Sequence, residues 1–222
     1  DFNVLNENEI IEKTAESLKN GEAVGWFQGR MEFGPRALGG RSILGDPRSS
    51  TMQKNLNLKV KYRESFRPFA PSILSEYLDE WFNHTTLSPY MLMVADVKEN
   101  RRRKMTIDQK ALFGIEKLNV IRSSIPAVTH VDYSARLQTV HKNTNPIYHA
   151  LISKFKDITG CPIVVNTSFN VRGEPIVCNP TDAFRCFMGT ELDVLAIGNY
   201  FLLKEEQDEK LKENYEDEYE LD

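Results

Sequence analysis

The run Ile163-Val164-Val165 constrains this chain more than any other segment. A continuous apolar run introduced by Gly160-Cys161-Pro162, after a helix-patterned stretch from Ile147 to Ile158, is typical of an internal strand. Other strand patterns are Ala23 to Phe27, bounded by glycines, Ser72 to Leu74 and Tyr90 to Val97. Leu192 to Ile197 and Tyr200 to Leu203 flank Gly198-Asn199, which reads as a hairpin. Helix patterns lie between these runs. One covers Glu9 to Lys19 and stops at Asn20-Gly21; another starts at Asp46-Pro47 and reaches about Leu58. A third, Glu76 to Asn83, carries Tyr77, Leu78, Trp81 and Phe82 as a core stripe, and a fourth runs from Asp182 to Met188 behind Asn179-Pro180-Thr181. Tyr90 to Val97 reads as core packing rather than a methionine-rich ligand box, and Asn100 to Ile107 as an exposed turn. Strands and helices alternate without a linker or repeat, so one α/β domain with a mixed sheet is expected.

At 222 residues the chain is long enough for one large or two small domains. No apolar run approaches the roughly 18 residues that cross a bilayer, so an integral membrane protein is not expected. Asp1-Phe2-Asn3 carries neither an initiator Met nor a signal segment, which suggests a processed form or a piece of a longer chain. Cys161, Cys178 and Cys186 have no CxxC spacing, so neither a disulfide framework nor a zinc cluster is expected. Low cysteine use fits a cytoplasmic location.

The net charge of −4 hides two opposite blocks. Lys204 to Asp222 holds ten acids against three lysines, a block of −7, which leaves +3 for residues 1–203. This acidic stretch, 204–222, reads as a solvated helix end or a disordered tail after a domain spanning 1–203. Between Arg30 and Arg67 the balance reverses, with nine Lys or Arg against Glu32, Asp46 and Glu64. Glycines and prolines punctuate that segment, which suggests loops that bring guanidinium and backbone N–H groups to an anion.

Three polar clusters are candidate sites. Gly29 to Ser42 (GRMEFGPRALGGRS) matches neither a P-loop nor a dinucleotide fingerprint, yet suits phosphate or carboxylate. Lys61 to Pro71 (KYRESFRPFAP) places Lys61, Arg63, Ser65 and Arg67 on one face if extended, with Glu64 turned away toward a neighbouring arginine. Val165 to Asn170 (VNTSFN) puts amides and hydroxyls at the end of a buried strand, where open α/β sheets bind ligands; turn chemistry reads the same residues equally well. His130 and Asp132 fit one strand face but do not make a metal site, and Arg136 is a further candidate anion contact.

Taken together, GRMEFGPRALGGRSIL at 29–44, KYRESFRPFAP at 61–71 and VNTSFNVRGEP at 165–175 resemble the C-terminal part of the NodU/CmcH-type O-carbamoyltransferase family, over Gly21 to Leu203. The resemblance implies a YrdC-like α/β domain that follows a larger ATPase-type N-terminal domain. It implies formation of carbamoyl adenylate from carbamoyl phosphate and ATP, with Mg²⁺ arriving on the nucleotide. The missing domain would then transfer the carbamoyl group to a hydroxyl of a small, sugar-like acceptor, in antibiotic or nodulation-factor biosynthesis. Carried over by position, Arg36, Lys61, Arg67 and Arg136 would contact phosphates, the first three as catalytic residues. Asn166 and Ser168 would hold the carbamoyl group or ATP phosphates. The sequence departs from the pattern at Tyr133-Ser134, where a Gly-Thr pair is expected; a side chain there is expected to alter the local backbone. The alternative reading is an RNA-binding or threonylcarbamoyl-adenylate-type module for tRNA modification, with Phe33, Tyr62, Phe66 and Phe69 as a stacking surface. A sequence pI near 5.7 argues against nucleic acid as the partner.

Overall fold

A computed structural model describes residues 1–212. In chain order the elements are β1 (Asn3–Val4), α1 (Glu7–Lys19), β2 (Val24–Phe27), β3 (Arg41–Gly45), α2 (Met52–Asn55), β4 (Ala70–Leu74), α3 (Leu78–Trp81) and β5 (Met93–Asp96). They continue with α4 (Ile107–Ala111), α5 (Gly114–Leu118), β6 (Ser134–Val140), α6 (Pro146–Thr159), β7 (Ile163–Ser168), α7 (Pro180–Gly189), β8 (Val194–Ile197) and β9 (Tyr200–Leu203). The strands form one mixed sheet in the order β1-β9-β8-β2-β3-β7-β4-β6-β5. Only β2 with β8 and β4 with β6 run parallel; every other neighbouring pair is antiparallel. This is the α/β architecture with a mixed sheet and flanking helices that the alternation of runs implies. No helix among the described residues is long and apolar enough to cross a membrane.

Local chemistry sets the helix ends. Asn6 and Glu9 form a reciprocal capping box on α1, and Asn179 with Asp182 does the same on α7. Both α6 and α7 start with Pro in the first turn, and Gly160 ends α6 in the left-handed conformation. Helices α1 and α6 pack against each other, α6 on β4 and β7 and α1 on β2 and β8, where α7 also packs. All residues of β2, β3 and β4 are buried, so the middle of the sheet is covered on both faces.

Several expected elements change. The basic glycine-rich segment contains strand β3, because Arg41 to Gly45 pairs with β2 and β7; only its first part is loop. The helix expected from Asp46 starts at Met52, after a turn in which Asp46 accepts Arg48 N and its guanidinium, and it ends in a π-helical turn, Leu56–Val60. The stretch from Lys61 to Phe69 is not extended: Tyr62 has φ +47° and Arg67 N closes a turn on Glu64 O. Its cations therefore do not share one face. Strand β5 is a sheet edge with Leu92, Met93 and Val94 exposed, so core packing holds there only for Met91, Ala95 and Val97. In the arginine-rich turn, Arg101 lies over the Trp81 ring.

His130 and Asp132 sit in a tight turn rather than on a strand: His130 N donates to Ser134 O, and Asp132 Oδ1 accepts Ser134 N and Oγ. Tyr133 in that turn has φ +67°. The backbone there has the left-handed geometry that glycine favours, at a cost of about 1–2 kcal/mol, and Arg102 stacks on the ring. From this turn β6 runs on to carry Arg136. At the chain end Lys204 donates to Thr190 O, and Gln207 is buried, bonded to Leu203 O and to both backbone atoms of Asp1. The rest of the acidic tail, 213–222, lies outside the described residues.

Gly39 anchors the β2–β3 loop, with φ +107° and a backbone pressed against the Tyr148 ring where a Cβ would overlap it. Gly29 also has positive φ, at +61°, but open space where a Cβ would stand. Gly39→Ala is therefore expected to lower stability in urea unfolding by about 2–5 kcal/mol, from strain plus overpacking. Gly29→Ala carries the strain alone, about 1–2 kcal/mol. Equal losses in the two variants would refute the overlap argument.

Candidate anion site

The loop between β2 and β3 is shaped by its own acid. Glu32 Oε1 accepts Leu38 N at 2.6 Å and Gly40 N at 2.7 Å, which curls the loop and engages this carboxylate with backbone N–H groups. Three buried side chains then hold three consecutive carbonyls. Asn166 Nδ2 donates to Ala37 O at 3.1 Å, Gln138 Nε2 to Leu38 O at 2.8 Å, and Trp26 Nε1 to Gly39 O at 2.9 Å. Arg36 is thereby set at the mouth of a cavity of about 160 Å³, whose lining includes Arg63, Arg136, Asn166 and Ser168. Among the described residues no Asp or Glu lines it.

Each cation arrives from a different element. Arg136 comes from β6; its pKa is lowered first by burial and then by Arg36. Arg63 is pushed down to about 10, by burial and then by Arg67. Its Nε donates to Asn57 Oδ1 at 2.6 Å, and Asn57 Nδ2 donates to the carbonyls of Ser65 and Arg67. The fully buried Asn57 thus fixes both the loop and the guanidinium it presents. For both arginines burial is the larger cause and a neighbouring guanidinium the second, and an anion among them would favour the charged forms. At an effective dielectric of about 20, unit charges ~4 Å apart interact by about 4 kcal/mol, against about 0–1 kcal/mol for exposed pairs.

Two residues named from the sequence stand elsewhere. Arg67 is half-exposed and paired with Glu64 at 2.8 Å, outside the cavity lining, in the pairing expected for Glu64. Lys61 is only 4% exposed and lies behind the cavity wall. Its Nζ lies within 2.5–3.2 Å of four oxygens: the carbonyls of Ser168 and Asn170, Ser168 Oγ and Asn170 Oδ1. An ammonium has three protons, so Lys61 is saturated. Burial pushes it down to about 7. Of the other basic residues in the segment, Arg41 is buried against backbone carbonyls and Phe27, Arg48 pairs with Asp46, and Lys59 with Glu191. The cation count in the sequence thus overstates the site, which receives Arg36 and Arg63 from this segment and Arg136 from β6.

One lining atom has the opposite demand. Asn166 is 1% exposed, both its N–H groups are engaged, to Ala37 O and Gln138 Oε1, and its Oδ1 has no partner. Asn166 thus brings to the cavity wall a buried acceptor that has no donor. A larger cavity of about 630 Å³ lies across Leu38 and Gln138, but it holds Arg30 together with Glu32 and so has no net preference for an anion. Sequence reasoning missed Asn57 and Gln138, and placed Arg63 in its motif without a role. An Asn between Leu56 and Leu58, inside a helix-patterned stretch, is the local signal that could have found Asn57.

Residues 15–204 match the family described as carbamoyltransferase C-terminus. The chain is 58% identical over 220 residues to the uncharacterized protein sll1178 of Synechocystis, covering 97% of this chain and 36% of that protein. It is 44% identical to nodulation protein NolNO of Sinorhizobium fredii over 89% of this chain and 26% of that one. Identity is 36% to the 3'-hydroxymethylcephem-O-carbamoyltransferase of Streptomyces clavuligerus, over 82% of this chain and 31% of that enzyme. The chain spans between a quarter and two fifths of the length of these relatives. With the family model covering most of its length, the chain belongs to the carbamoyltransferase C-terminus family.

Proposed function

We propose that this chain forms carbamoyl adenylate from carbamoyl phosphate and ATP, for transfer to a hydroxyl of a small, sugar-like acceptor by the remainder of a longer enzyme. The observation that carries this reading is the pairing, in one small cavity, of three arginines with the unpartnered Asn166 Oδ1. Carbamoyl phosphate offers a phosphate dianion for the guanidinium groups and an amide N–H for that oxygen. Inorganic phosphate has only its acid O–H to offer that oxygen, whereas carbamoyl phosphate offers an amide while keeping its phosphate a dianion.

The atoms balance with one water. Water cleaves carbamoyl phosphate to carbamate and phosphate; a carbamate oxygen then attacks the α-phosphorus of ATP and displaces pyrophosphate. Arg36, Arg63 and Arg136 would neutralise the phosphate oxygens and the charge that develops on the leaving groups, where electrostatics supply most of the rate. No protein nucleophile is required. Mg²⁺ in this reading is carried by the ATP phosphates. Lys61 would act by fixing Ser168 and Asn170, and Arg67 would meet the outer phosphates of ATP once released from Glu64.

Pyrophosphate release from ATP and Mg²⁺ by this chain should depend on carbamoyl phosphate. Calorimetric binding of carbamoyl phosphate without release would place the missing step in the rest of the enzyme. Neither release nor binding would overturn the reading. Arg36→Ala, Arg63→Ala and Arg136→Ala should each lower carbamoyl phosphate use by about 10²–10³-fold, as for lost charge-stabilising donors, while Arg67→Ala should cost about tenfold or less because its partner is exposed. A larger loss at Arg67 than at Arg63 would reverse the assignment of the site.

The buried Lys61 adds a pH test. Its folded pKa, about 7, lies below the ordinary lysine value, so the unfolded chain binds more protons between them. Its contribution to stability should therefore rise with pH across that window, by at most about 1.4 kcal/mol per unit. Urea unfolding of wild type and Lys61→Met from pH 6 to 10 should show the difference shifting toward wild type above pH 7. A difference independent of pH would mean that Lys61 stays charged throughout.

A further inference from the structure

We infer that Gln138, through Asn166, sets the site's preference for an amide-bearing acyl phosphate; this rests on the carbamoyl phosphate reading above. The argument starts from acceptors whose identity is not in question. A backbone carbonyl can only accept, so the Gln138 atom facing Leu38 O at 2.8 Å must be the NH₂ group, and the Asn166 atom facing Ala37 O at 3.1 Å must be its NH₂ group as well. Gln138 Oε1 then accepts Asn166 Nδ2 at 2.8 Å and Ser72 Oγ at 2.5 Å. Ser72, Gln138 and Asn166 stand on the adjacent strands β4, β6 and β7; all three are buried, with Ser72 opposite Gln138 in the parallel register.

The relay leaves Asn166 one orientation. Turning its amide over would set its oxygen against Ala37 O and Gln138 Oε1, acceptor against acceptor, in a buried place. Asn166 therefore keeps Oδ1 as its one unused acceptor, buried beside the cavity that Asn166 lines; a ligand N–H that reaches it is received, and a ligand that can only accept is repelled. Gln138 does not line the arginine cavity. It is a positioning residue, and what it positions is the choice between a carbamoyl and an acetyl group. These two acyl phosphates have the same phosphate and carbonyl and differ in NH₂ against CH₃. A site built around a buried acceptor rejects the analogue that cannot donate to it.

The experiment measures calorimetric affinities of carbamoyl phosphate, acetyl phosphate and inorganic phosphate for this chain, as wild type and as Gln138→Met, which keeps the volume and removes both amide groups. Wild type should favour carbamoyl over acetyl phosphate by at least about tenfold, one hydrogen bond's worth. In Gln138→Met that ratio should fall to within about threefold of unity, while the release of Leu38 O weakens all three ligands by a common factor that the ratio cancels. Gln138→Leu replaces it should the methionine variant fail to melt cooperatively. Gln138→Glu, which as the neutral acid keeps an acceptor for Asn166 and a donor for Leu38 O, should keep most of the wild-type ratio at a pH where it is protonated. An undiminished ratio in the apolar variant, an equal collapse in Gln138→Glu, or no preference in wild type would each overturn the role of Gln138. Failure of wild type to bind carbamoyl phosphate at all would instead overturn the proposed function, before Gln138 enters.

Discussion

Three consecutive carbonyls, of Ala37, Leu38 and Gly39, each receive a hydrogen bond from a buried side chain on a strand of the sheet. The rest of the site depends on this clamp. A loop rich in glycine has no ladder of its own, so its carbonyls need donors wherever they are covered. Asn166, Gln138 and Trp26 supply those donors from β7, β6 and β2, and Glu32 supplies the matching acceptor for two N–H groups. Closing the loop in this way brings Arg36 toward Arg63 and Arg136. Mutual repulsion would drive those three charges apart, and the clamp, together with Asn57, works against it. Crowding them before a ligand arrives lowers the rearrangement needed to bind an anion, which is the general advantage of a preorganised site.

The clamp also explains why so many basic residues in one segment serve so few contacts with a ligand. Arg41 spends its guanidinium on the carbonyls of Gln28, Gly29 and Gly40, with its face on Phe27. It is as structural as a buried Asn, despite its charge. Lys61 does the same for the Ser168–Asn170 turn. A lysine bonded only to neutral oxygens keeps its charge at the expense of burial, and the depressed pKa records that burial outweighs the oxygens.

Much of the fold was legible because apolar runs and capping residues act locally. Ile163 to Val165 is the inside of a central strand, Asn20-Gly21 ends α1, and Gly198-Asn199 turns the β8–β9 hairpin. Strands β3 and β6 were not legible, because Arg41, Ser42, Arg136 and Gln138 hide the apolar pattern, and these polar residues are the ones that serve the site and its loop. The same cause misplaced the Lys61–Arg67 face: alternation holds only where the chain is extended, and Asn57 winds this segment into turns instead. Arg36, Arg136, Asn166 and Ser168 do converge, although they lie up to 132 positions apart in sequence (168 − 36). A resemblance carries such long-range information, whereas periodicity does not.

The position of Tyr133 shows how firmly the site geometry is held. The turn needs a left-handed residue so that Asp132 can accept from Ser134 and β6 can start in register with β5. With tyrosine there, either the turn or the register had to yield, or the residue had to bear the strain. The residue bears it, with Arg102 over its ring. A register slip of one residue would turn Arg136 and Gln138 to the other face of the sheet and remove a cation and the relay together. A local strain of about 1–2 kcal/mol is small beside the burial of Ala135 and Leu137 that fixes the strand, roughly 25 cal/mol for each Å² of apolar surface. The tertiary packing of β6 therefore decides the conformation of the turn, and Tyr133 adopts it despite its side chain.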